Sequence, residues 1–151
     1  MKQSSPMNAA ERIESLKAGT LSAFTFSLAY SAIALANSLV LAEVSVLIRL
    51  QITTGFDLLL RVAVAWLSGF LFGVTYRYVI RTDENSHLKS GAVLAFGLVR
   101  GVAPLEIAGD ILSQFWALGV LGIESIICFA IARFTLDWAI HHHWVKAFKS
   151  T

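Results

Sequence analysis

The residues of this chain best able to do chemistry stand where charge is costly. GAVLAFGLVRGVAPLEIAGDILSQF, residues 91–115, reads as a membrane-crossing stretch with Arg100, Glu106 and Asp110 set into it, and Glu124 follows in a second apolar run. A charged side chain in hydrocarbon costs several kcal/mol at the least, so it either meets an opposite charge or handles an ion or solute. Measured from a turn at Gly109 and Asp110, Arg100 lies roughly 12 to 14 Å deep and Glu124 roughly 20 Å, at about 1.5 Å per residue. Arginine has the reach to close that gap, so depth predicts an Arg100–Glu124 pair across the third and fourth helices. Glu106 falls at the level of Arg61 on the second helix, which predicts another pair. Pro104 removes an amide donor and crowds the carbonyl of Arg100, so the third helix should bend between its arginine and its glutamate. Two uses fit these charges. They fix helix register inside a bundle, or Glu106 or Glu124 exchanges a proton or contacts a solute in a cavity at the kink.

Other constellations offer less. In DWAIHHHWVKAF, Asp137 and His141 are four apart and share a helix face, a spacing that suits two metal ligands. Three consecutive histidines point in three directions, however, and beside Trp138 and Trp144 they read as hydrated headgroup contacts. No metal site is predicted. Cys128 is the only cysteine, so neither an intramolecular disulfide nor a CxxC pair can form. No glycine-rich phosphate loop, Ser/His/Asp set or HExxH is present. A net charge of +2 with no basic run gives nucleic acid nothing to bind. No cofactor is predicted; pigment or lipid binding stays open.

The elements that must position these residues follow from hydropathy. The chain has 151 residues, 56% hydrophobic and 15% charged, with a mean hydropathy of +0.68, far more apolar than an ordinary soluble domain. Runs near the roughly 20 residues needed to cross a bilayer occur at about 20–42, 58–80, 87–108 and 111–140. The prediction is an all-α integral membrane four-helix bundle. Asp57 is expected to cap the second helix, Ser86 the third and Asp110 the fourth. Trp116 and Trp138, roughly 33 Å apart along a helix, suit an aromatic belt at each interface. Arg61 and Arg77 stand close to the ends of the second span and should lift their heads toward the headgroups.

Ahead of the first span, residues 1–19 form a polar leader in which Asn8 and Glu11 resemble a capping box, Ile13 and Leu16 share a face, and Gly19 can stop a helix. A short amphipathic interfacial helix is expected there, followed by a membrane domain over 20–140 and a basic tail over 141–151. Ala34-Leu35-Ala36 matches a signal-peptidase pattern, but the long leader with Glu11 and Glu14 argues for a retained helix. The 43–57 connection alternates apolar and polar residues and reads as either extended or a tilted continuation of the first helix. Lys and Arg gather on one side of the spans, which places both termini on the cytoplasmic or stromal side. Gly69 and Gly73, Gly97 and Gly101, and on the first helix Ala23, Ser27 and Ser31 with Ala32 and Ala36, recur every four residues and predict close packing faces.

YRYVIRTDENSHLKSGAVLAFGLVRG, residues 76–101, resembles a segment of uncharacterised small integral membrane proteins of cyanobacteria and plastids. The resemblance implies a thylakoid or plasma membrane home and no particular reaction. Within it, Arg81, Asp83, Glu84, His87 and Lys89 form a polar loop suited to docking a partner. The combined expectation is a non-enzymatic accessory or assembly factor that binds other membrane proteins in the bilayer, with self-association open. The alternative is a small transporter or proton-conducting subunit using Glu106, Glu124 and Arg100.

Overall fold

The computed structural model describes residues 9–40, 54–80, 85–103 and 111–148. Four helices carry the fold, α1 (Ala9–Val40), α2 (Gly55–Ile80), α3 (Ser86–Val102) and α4 (Ile111–His141), with no strand among the described residues. Three segments are long and apolar enough to cross a membrane, Ala9–Leu39, Gly55–Ile80 and Leu118–His141. α3 has 17 residues, about 25 Å of helix, at the lower limit of the spanning range. Residues 41–53 and 104–110, which include Pro104, Glu106 and the expected turn at Gly109 and Asp110, lie outside the described residues. So do Asn8, Arg81, Asp83 and Glu84.

α1 packs along α2 and against α4, α3 packs along α4, and α2 touches α3 and α4 more lightly. Lipid gives apolar side chains no reason to leave it, so close backbone approach and dispersion hold such helices together. Both glycine pairs supply that approach. A Cβ on Gly69 would come within 2.8 Å of Ala23 Cα, and one on Gly73 would press into the Ala18 carbonyl and sit 2.6 Å from Ser22 Cβ. Likewise a Cβ on Gly97 would lie 3.0 Å from Ile126 Cα, and one on Gly101 2.5 Å from Gly122 Cα. The α1 side of the seam differs in part from expectation. Ala18, Ser22 and Ala23 are buried in it, while Ser31, Ala32 and Ala36 are exposed. The partner helix selects which small residues matter, and α2 offers its glycines opposite the N-terminal half of α1.

Gly19 does not stop a helix: α1 runs through it without a break. A Cβ there would meet the Phe70 ring at 2.7 Å, so this glycine admits an aromatic side chain from α2. The described part of the leader, residues 9–19, is thus the first part of α1 rather than a separate interfacial helix. Between the two seams lies an aromatic core. Phe129 has ring centroids 4.4 Å from Phe26, 5.0 Å from Phe72 and 5.6 Å from Phe96, within the range where tilted aromatic pairs attract.

The helix caps also shift. α2 starts before Asp57, whose N–H donates to the Thr54 hydroxyl at 3.4 Å, while its carboxylate takes Arg61 one turn on. α3 is capped by Asn85, which accepts from the His87 N–H at 3.0 Å, not by Ser86. After α4, His143 adopts a left-handed conformation with φ 60. The chain reverses there, Trp144 N–H donates to the Ala139 carbonyl at 2.9 Å, and Val145 inserts with 3% exposure. The start of the expected basic tail is therefore part of the bundle.

Candidate functional site

One end of the bundle gathers the start of α1, the end of α2, the start of α3 and the end of α4. Two polar hubs lock it. In the first, Arg77 is only 1% exposed and does not reach for headgroups. Its Nε donates to the Lys146 carbonyl at 2.8 Å, one Nη donates to Ser15 Oγ at 2.7 Å and the Glu11 carbonyl at 3.2 Å, and the other pairs with the Glu11 carboxylate. Tyr78 and Phe148 flank the guanidinium at 5.9 and 5.7 Å from their centroids. Lys146 N–H in turn donates to Glu14 at 2.9 Å, which brings both ends of the described chain together. Almost every donor of a buried guanidinium is thereby satisfied, the condition under which burial of charge is tolerated.

Asp137 is the second hub. Tyr76 Oη donates to it at 2.8 Å, Lys89 Nζ lies 3.4 Å away, and Arg133 Nε lies 3.6 Å from its other oxygen. Arg133 also donates to Ser90 at 3.1 Å. The hub joins α2, α3 and α4. Asp137 is therefore engaged with cations and a phenol, whereas His141 stands exposed with its ring against that of His142. Lys89, expected in a docking loop, is turned inward to this carboxylate, and His87 is exposed beside the α3 cap.

The intramembrane charges do not pair as depth predicted. Among the described residues Arg100 and Glu124 form no salt bridge: Glu124 accepts from Asn37 Nδ2 at 2.6 Å, while Arg100 donates to Ser68 Oγ at 3.3 Å. The cause is azimuth. On α4, Gly122 and Ile126 face α3, and Glu124, two residues from each, projects about 160° away from that seam at 100° per residue. It therefore faces α1. Arg100 lies instead with its guanidinium 5.2 Å from the Phe26 ring centroid and 5.0 Å from that of Tyr30. Arg61 pairs with Asp57 at 3.0 Å, so it already has its carboxylate one turn away on its own helix. Glu106, its expected partner, lies outside the described residues.

Ser68 stands close to the midpoint of α2, which runs from Gly55 to Ile80, so Arg100 sits near the middle of the bundle. Sequence reasoning missed Phe26, Tyr30, Ser68 and Asn37 as partners, and Tyr76 and Ser15 as hub members. Phe26, Tyr30 and Asn37 do recur along α1 at helical spacing, a signal that could have pointed them toward one side.

These features define a small all-helical bundle with three candidate membrane spans, a polar lock at one end and, beside the midpoint of α2, an arginine with no ion-pair partner among the described residues. No family model, curated protein or solved structure matches the chain.

Proposed function

We propose that the protein is a non-enzymatic membrane accessory factor, a compact scaffold that binds other membrane proteins. The use of its polar side chains carries the reading. Glu11, Ser15, Arg77 and the Lys146 backbone bind one another across elements, as do Tyr76, Lys89, Arg133 and Asp137. Polar chemistry is spent on holding helices, and the outward faces are left to large apolar residues such as Leu28, Leu35, Leu59 and Val99. Such faces meet lipid or another helix with equal ease. The basic residues of the locked end favour the cytoplasmic or stromal side for both termini. The resemblance over 76–101 favours a photosynthetic membrane.

The test is purification of a tagged full-length copy from native membranes. Recovery of a defined complex at fixed stoichiometry is expected, unaffected by Glu124→Gln. Recovery of the chain alone under mild solubilisation overturns the reading.

A second reading, a small transporter or proton-conducting subunit, is favoured by Glu124 holding an amide rather than a cation. It requires solute or proton flux from purified protein in liposomes, lost with Glu124→Gln.

A further inference from the structure

Of the cations that reach across this bundle, Arg100 is the exception. Arg77 has Glu11, and Lys89 and Arg133 share Asp137. Arg61 has Asp57 one turn away on its own helix. Arg100 has no carboxylate among the described residues. Its contacts come instead from a hydroxyl at 3.3 Å and two ring faces at 5.2 and 5.0 Å. Ring faces attract a cation, but they accept no conventional hydrogen bond. A guanidinium carries five N–H donors in a rigid fork, so most of these remain unspent.

The surroundings match the fork. Phe26 and Tyr30 come from α1 and Ser68 from α2. The arginine is thus directed to the centre of the bundle and is not lifted to an interface. The Phe26, Phe72, Phe96 and Phe129 rings close the interior. Glu124 is turned toward Asn37, and among the described residues Arg100 forms no ion pair.

We infer that Arg100, on its platform of Phe26 and Tyr30 with Ser68 beside it, binds an oxyanion, a carboxylate or phosphate group, at mid-depth in the bundle. A planar fork takes two oxygens of such a group at once, and in a low dielectric that geometry gives strong, charge-assisted bonds. The Ser68 hydroxyl, whose proton goes to the Val64 carbonyl at 2.7 Å, accepts from Arg100 and holds the fork in place. The same chemistry is presented by the head of an acidic amphiphile from the bilayer and by a small anion from water. This goes beyond the accessory role: a scaffold needs no anion, and an anion site needs no partner protein.

The full-length protein in phosphatidylcholine nanodiscs is titrated with carboxyl-labelled oleate in one arm and inorganic phosphate in the other. Oleyl alcohol serves as the neutral control. Saturable binding of at least one probe at one per chain is expected, with no competition by oleyl alcohol. Oleate alone points to a bilayer source, and phosphate alone to an aqueous one. Arg100→Gln should weaken binding at least tenfold, Arg100→Lys should retain part of it, and Ser68→Ala should weaken it severalfold. Where Arg100→Gln does not fold, Arg100→Lys and the oleyl alcohol control decide. Absence of binding in both arms, equal competition by oleyl alcohol, or affinity unchanged in folded Arg100→Gln overturns the inference. Co-purification of a partner is unaffected by any of these outcomes, so the accessory reading stands or falls separately.

Discussion

At the locked end of the bundle Arg77 is 1% exposed and makes four hydrogen bonds, to Glu11 twice, Ser15 and the Lys146 carbonyl. At mid-depth Arg100 makes one, to Ser68, and rests on two rings. The two arginines have the same chemistry and opposite settings. Burial of the first is compensated by its neighbours, so it contributes to holding α1, α2 and the chain end together. Burial of the second is only partly compensated, so it adds little to folding and keeps its donors free. Charge in the interior is structural where its hydrogen bonds close within the fold, and available for recognition where they do not.

The sharpest way to break this comparison is to remove both charges and compare stability. Arg77→Met takes the donors from Ser15 and from the Glu11 and Lys146 carbonyls inside the bundle and should cost about 3–5 kcal/mol, read by reversible unfolding in bilayers. Arg100→Gln should change stability by no more than about 1 kcal/mol, because the lost cation–π attraction is offset by the removed desolvation. Equal losses in the two variants would erase the distinction. Next in size is Gly73→Ala, whose added methyl meets the Ala18 backbone carbonyl. Backbone cannot yield as a side chain does, and a loss of about 1–3 kcal/mol is expected. Asp137→Asn loosens the second hub. With that carboxylate 27% exposed, solvent screening limits the expected loss to about 1 kcal/mol. Smallest is Glu124→Gln, whose amide oxygen still accepts from Asn37, with an expected change under about 0.5 kcal/mol. A larger loss would show that the charge of Glu124 matters to the fold and would move it from the mid-depth class to that of Arg77.

Hydropathy and small-residue spacing made much of the bundle readable. Helix α4 runs from Ile111 to His141 where the sequence places a span over 111–140, and both GxxxG pairs lie in helix–helix seams. Local chemistry misled at the junctions. Gly19 has the right type to end a helix, yet α1 passes through it because the Phe70 ring needs the space. Arg77 has the right position to reach headgroups, yet the folded-back chain end surrounds it. In both, the deciding partner lies far along the chain, and no local pattern encodes it.

The sequence by itself determined where long apolar helices lie, because a run of about 20 apolar residues and the rise per residue are properties of one helix. Only the tertiary structure decided which charges meet. Pairing depends on the rotation of each helix about its axis, and that rotation is set by where glycines let two backbones touch. Gly97 and Gly101 against Ile126 and Gly122 turn Glu124 toward Asn37 and leave Arg100 to Phe26, Tyr30 and Ser68.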